Sequence, residues 1–169
     1  MPETGWKYPG TITSTWNNKD YAKADDGNVA YQQLNYSSDS TELRATAFGI
    51  SSLIIPADAR IVGVQVCVDR GADIINVIVD KTVRLYYGGA VGDNKAKTTT
   101  YWTGMAQINY GGGADLWGYA LTQAIVTNAG FGVTFYAHNN GIAVRPNAMV
   151  DFIAVNVWWR NTPIVINII

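Results

Sequence analysis

Between residues 61 and 68 the chain reads IVGVQVCV, an alternation that a helix cannot gather onto one face. Successive side chains of a strand point to opposite sides, so Val62, Val64, Val66 and Val68 share one face. Gly63, Gln65, Cys67 and Asp69 share the other. The same period returns at 82–87 (Val83, Leu85 and Tyr87 together) and at 131–138 (Val133, Phe135 and Ala137 inward; Thr134, Tyr136 and His138 outward). It returns again at 150–159, where Ile153, Val155, Val157 and Trp159 form one row. Weaker strand patterns cover 11–16, 30–36, 42–48, 101–110 and 141–145. Helical periodicity is nearly absent. One short helix is predicted over 122–128, with Thr122 as its cap and the following Asn-Ala-Gly as its end.

Turn chemistry separates these runs: DDGN at 25–28, YSSDS at 36–40, RGAD at 70–73, YGGAVGDNK at 87–95, YGGGAD at 110–115 and HNNG at 138–141. HNNG suits a hairpin, because Asn and Gly tolerate the positive φ of primed turns. Eight or nine strands at this spacing predict an all-β fold: one antiparallel β-sandwich of jelly-roll type. The domain covers 11–160. Residues 1–10, with Trp6, Tyr8 and two prolines, form an N-terminal arm. Residues 161–169 end in PIVINII and form an apolar tail. It reads as a last strand on its own sandwich or as an arm to a neighbouring subunit.

Composition narrows the function. Of 169 residues, 48% are hydrophobic and 15% charged, against about 25% charged in ordinary domains. That supports a buried core and excludes a charged disordered tail. A net charge of −1 without a basic cluster argues against coating nucleic acid. No apolar run reaches the ~18 residues of a membrane helix, and the first residues do not read as a secretory signal. One His (His138), one Cys (Cys67) and two Glu (Glu3, Glu42) supply catalysis poorly. They are too few for a Cys/His zinc site, and no disulfide can form within the chain. A lone thiol is compatible with a reducing cytosol.

The densest polar segment is NNKDYAKADDGN, 17–28. Asn17, Asn18, Asp20, Asp25, Asp26 and Asn28 are hard oxygen donors of the kind calcium takes, but the spacing is not that of an EF-hand. Asx turns explain the same residues. Asp151 could approach this loop, either at a metal or as an acceptor of backbone amides. His138 has no G-x-S-x-G nucleophile to serve. The glycine clusters lack the ending of a P-loop and read as hairpin loops. Adjacent Trp158 and Trp159 must face opposite sides of a sheet, so one enters the core and the other is covered or exposed. An exposed aromatic row could anchor a protein interface or stack on sugar rings.

Several segments together resemble a known family. STWNNKDYAKADDGNVAY (14–31), FGISSLIIPADARIVGVQVCV (48–68), KTVRLYYGGAVGDNKAKT (81–98), YGGGADLWGYALTQAIVTNAGFGVTF (110–135) and VDFIAVNVWW (150–159) are similar to structural β-sandwich proteins of tailed-bacteriophage virions. The resemblance spans about 11–160. It implies a non-enzymatic virion protein: a capsid decoration (cement) protein or a fibre or tail-associated module. It implies other virion proteins as partners, the major capsid protein foremost, and a dimer or trimer. It implies no catalytic residue, and no catalytic, cofactor-binding or metal-binding residue is assigned. Neither nucleic acid nor membrane is expected as a partner. The expected location is the virion, after synthesis in the host cytoplasm. The alternative is a glycan- or receptor-binding module of a tail or head fibre.

The strand-face assignment is directly testable. Val66→Asp puts an unpaired charge in a sheet core and is expected to unfold the domain. A soluble variant with unchanged thermal unfolding would show that the faces are assigned wrongly.

Overall fold

The structure, a computed structural model, describes residues 1–161; all of the expected tail 161–169 beyond Asn161 lies outside them. Nine strands form among the described residues: β1 (Thr11–Ser14), β2 (Ala30–Gln33), β3 (Leu43–Thr46), β4 (Arg60–Ala72), β5 (Ile78–Tyr86), β6 (Ala90–Val91), β7 (Ala106–Gly112), β8 (Gly132–Asn139) and β9 (Asn147–Arg160). They build two antiparallel sheets, in the orders β1-β3-β8-β5-β6 and β2-β9-β4-β7. β2 pairs with β9, β3 with β8, β4 with β7 and β5 with β6. That is one long hairpin rolled up on itself. β4–β9 and β5–β8 pairing then closes each sheet. This is the jelly-roll order, with β1 added at the edge beside β3. Among the described residues no helix is long and apolar enough to cross a membrane.

The core lies between the sheets. Val64, Val66, Val68, Ile153, Val155, Val157, Val133 and Phe135 are buried in it. Three β-bulges correct the alternation read from the sequence. Ile61 pairs with Trp159 and Gly63 with Trp158, so Val62 is the extra residue and Ile61 takes the expected core position. Asp69 pairs with Phe152 and Arg70 with Val150, so Asp151 is extra. Val150 and Ile153 can therefore both face inward. Lys81 is extra in β5, so Asp80 faces inward on one side of the bulge and Val83 on the other.

Two expectations fail in the 138–147 region. HNNG is not a hairpin turn and 141–145 is not a strand. β8 and β9 belong to different sheets, so this segment must cross the sandwich. Buried Asn139 holds the crossing: its Nδ2 donates to Asn35 O and Val144 O, and its Oδ1 accepts from Gly141 N. The 101–110 strand starts later, at Ala106, because Trp102 leaves the strand line to fill the core. The predicted helix is a single turn, α1 (Gln123–Val126), with Thr122 Oγ1 accepting the Ile125 amide. A 3-10 turn at Lys19–Ala22 and the two-residue β6 carry too short a pattern to be read.

The motif residues of the resemblance have structural work. Trp117 is buried and donates from Nε1 to Val64 O at 2.8 Å. Its indole lies so close to Gly111 (φ +69°) that a Cβ there would sit 2.6 Å from Nε1. Asp115 Oδ1 accepts the Trp117 amide. Asn94 accepts from the Val83 and Ala96 amides and donates to Lys81 O, standing in for a strand beside the β5 bulge.

One polar group sits in the middle of the core. Asp80 is fully buried and its carboxylate takes four donors. Oδ1 accepts from Trp102 Nε1 at 2.8 Å and lies 2.8 Å from Arg70 Nε. Oδ2 accepts from the Tyr110 hydroxyl at 2.8 Å and the Lys97 amide at 2.9 Å. Arg70 stacks over the Trp102 ring. Burial, then the Asp80 charge, pushes the Tyr110 phenol far up, so it stays a proton donor. Removing one partner of a buried ion pair costs about 3–5 kcal/mol. Asp80→Ala strands Arg70 inside the core and should lose stability on that scale. The urea unfolding midpoint measures it, and a loss below about 1 kcal/mol would contradict this role.

Candidate functional site

The outer face of a jelly-roll sheet normally meets solvent as polar side chains. Here the outer face of β2-β9-β4-β7 carries a second apolar patch of Cys67, Phe152 and Ala154. Register places Cys67 between Ala154 and Asn109, and Asp69 between Phe152 and Gln107.

The N-terminal arm frames this patch. It runs antiparallel to β9 beyond the end of β2: Lys7 N donates to Val155 O, Val155 N to Lys7 O, and Thr4 N to Val157 O. Asn156 Nδ2 donates to Glu3 Oε2, and the Val157 amide to Thr4 Oγ1. Lys7 sits opposite Val155, so alternation sends Trp6 and Tyr8 to the outer side. Tyr8 stands edge-on against Phe152, with ring centroids 5.5 Å apart. The 23–28 loop closes another side. Asp151, put at the rim by its bulge, accepts the Gly27 amide at 3.1 Å and the Asp26 amide at 3.4 Å.

The result is a hollow of about 250 Å³ lined by Trp6, Tyr8, Asp25, Cys67, Gln107, Asn109 and Phe152. Burial, and then the Asp69 charge, pushes the Cys67 thiol up to about 11, so it stays protonated at neutral pH and is a poor nucleophile. Burial, then the charges of Asp151 and Asp25, raises the Asp69 carboxyl. Asp151 is raised too, by burial first, with the amides of Gly27 and Asp26 opposing. One Asp69 oxygen is shielded from solvent without a hydrogen-bond partner. The hollow can therefore offer aromatic faces, two neutral amides and acidic acceptors.

The other candidate residues disperse. In the 17–28 loop, Asp20 pairs with Lys23 at 2.7 Å and Asp26 Oδ1 accepts the Asn28 amide as an Asx turn. Asp151 does meet this loop, as an acceptor of backbone amides. Among the described residues no group of three or more His, Cys, Asp or Glu is placed to hold a metal ion. His138 Nδ1 lies 2.6 Å from Asp39, whose other oxygen is 3.6 Å from Lys81 Nζ, in a polar cluster on β8 and its neighbours. Glu3 bonds to β9 while Glu42 accepts from Thr134 on the opposite sheet, so the two Glu do not form a catalytic pair. Trp159 enters the core; Trp158 faces outward, half-buried beside Gly113.

A second surface lies at one end of the sandwich. The β2–β3, β4–β5, β6–β7 and β8–β9 loops meet there and expose Tyr36, Ile74, Ile75, Tyr101, Met105 and Ile142. Backbone bonds knit the loops: Asn76 N to Trp102 O, Ala72 N to Thr103 O, Asn140 N to Val77 O and Ser37 N to Gly141 O. Comparison with protein-family models, with curated proteins and with solved structures finds no match to this chain.

Sequence reasoning singled out Asp25, Asp151 and Cys67 separately but not the hollow they border. The signal it had was Trp6 and Tyr8 two residues apart in an arm without a core to enter.

The raised carboxyls give a pH prediction. A folded-state pKa above the ordinary aspartate value of 3.8 means that ionisation costs the folded state. Stability then falls as pH rises from the ordinary value through the raised one, and returns on acidification. Asp69→Asn should raise the thermal midpoint near neutral pH, with the gain vanishing toward roughly pH 3. A gain independent of pH would contradict this assignment.

Proposed function

We propose that this chain is a non-enzymatic structural protein of a tailed-phage virion, a capsid decoration (cement) protein that works by adhesion. The observation that carries the reading is the apolar end. Ile142 is 83% exposed and Ile75 55%, on loops already tied together by backbone bonds. Such a surface needs little ordering on docking. Each large aliphatic side chain it buries is worth about 1.5–3 kcal/mol. Contacts that exist only on the assembled shell stabilise the shell by mass action. The major capsid protein is the partner this reading calls for, and a dimer or trimer would cover part of the same surface. The resemblance of the 14–31, 48–68, 81–98, 110–135 and 150–159 segments to phage virion sandwiches supports the location.

A second reading, a glycan- or receptor-binding module of a tail or head fibre, is favoured by the hollow of Trp6 and Tyr8 with Asp25, Gln107 and Asn109.

Co-sedimentation with purified shells of the encoding phage tests the first reading. The protein should pellet with shells. Ile75→Asp and Ile142→Asp should each reduce pelleting at least about tenfold, the effect of 1.4 kcal/mol, without lowering the thermal midpoint. A wild-type protein that stays in the supernatant overturns it.

A further inference from the structure

We propose that the hollow on the outer face of β4, β7 and β9 binds one terminal ring of an uncharged or basic saccharide and rejects acidic ones. This rests on the second reading above and names the ligand class that its site would take.

The chemistry of the walls selects a sugar. A pyranose has an apolar C–H face and a rim of hydroxyls. Trp6 and Tyr8 are 41% and 40% exposed, side by side on the arm, and offer π faces to the C–H groups. Asp25 accepts hydroxyl protons, and the amides of Gln107 and Asn109 both donate and accept. Phe152 and Cys67 form an apolar floor, and the high thiol pKa keeps that floor uncharged. At about 250 Å³ the hollow lies below the ~300–1,000 Å³ of pockets that enclose drug-sized ligands. It suits one ring, with the rest of the chain outside.

The charge of the surroundings selects among sugars. Asp25 lines the hollow and Asp26, Asp69 and Asp151 stand close enough for their charges to act on one another. Lys7, the basic residue of the arm beside the hollow, takes the opposite face from Trp6 and Tyr8 because it pairs with Val155. Lys23 stands opposite Phe152, on the same side of the sheet as the hollow, and is held by Asp20. Among the described residues near the hollow it is one cation, already paired, against four carboxylates. A carboxylate or sulfate brought into this field meets net repulsion.

The site is preformed. Asp151 holds the 23–28 loop by two backbone amides, and Asn156 and the Val157 amide hold the arm. A ligand therefore orders little when it docks.

Quenching of tryptophan fluorescence by a defined panel tests this: lactose, maltotriose, cellotriose and chitotriose against sialyllactose and a sulfated disaccharide. At least one neutral or amino sugar should bind at least tenfold tighter than both acidic ones. Trp6→Ala, and Asn109→Ala on the exposed edge strand, should each weaken that binding at least fivefold with unchanged thermal unfolding. Asp25→Asn should narrow the gap to the acidic sugars. Binding to no member overturns both the proposal and the glycan reading. Equal or tighter binding of acidic sugars, or binding indifferent to Trp6→Ala and Asn109→Ala, overturns the proposal while leaving the glycan reading standing.

Discussion

A carboxylate buried at zero exposure in a β-sandwich core persists only if each lone pair is met, and Asp80 meets that condition with four donors. Those donors come from different parts of the fold. Arg70 belongs to β4 and Tyr110 to β7 of one sheet, while Asp80 itself is in β5 of the other. Trp102 and Lys97 belong to the connection between β6 and β7. Greasy contacts between sheets tolerate sliding; this network does not, because a small displacement breaks several charge-assisted bonds in a low-dielectric interior. It fixes the offset between the sheets and holds the 94–105 segment against β5. The apolar end of the molecule is built on that offset, since the loops carrying Ile74, Ile75, Tyr101 and Met105 flank the network.

Bulges connect this core to the outer face. The extra residue Lys81 lets Asp80 point inward beside a strand whose later core positions are Val83 and Leu85. The extra residue Asp151 lets Val150 and Ile153 both be core, and puts a carboxylate beside the 23–28 loop, where it captures the amides of Asp26 and Gly27. One irregularity thus repairs the alternation of β9 and positions a wall of the hollow. The arm completes the arrangement by using the stretch of β9 that β2 leaves unpaired. That pairing covers an open sheet edge and turns Trp6 and Tyr8 toward the acidic loop.

The hollow and the apolar end suit different partners. The first combines aromatic faces with hydroxyl-seeking groups and negative charge; the second is aliphatic and aromatic with little charge. They lie on a sheet face and at a loop end, so one domain could hold a shell with the second while presenting the first outward. Both arise from segments without regular strand patterning: the arm, the 23–28 loop and the inter-strand connections.

Strand content, most of the core rows of β4 and β9, and the Thr122 cap were legible because each follows from local rules; the turn signals were less reliable, since RGAD at 70–73 lies mostly inside β4 and HNNG is not a hairpin turn. Period two is a steric property of the backbone, and a cap involves only its own helix turn. Asp80, Lys81 and Arg84 all interrupt the apolar run INVIVDKTVRLYY, and no local pattern marks Asp80 as the buried one. Its four partners stand 10 to 30 positions away along the chain, so only the fold brings them to it. Tertiary structure alone decided the pairing registers, the crossing at 138–147, the three bulges and the hollow. A bulge exists only relative to a partner strand, and partner choice depends on which closures bury the most surface. The amino-acid order specified which side of each ribbon is oily; the rolling of the ribbons specified which distant side chains meet.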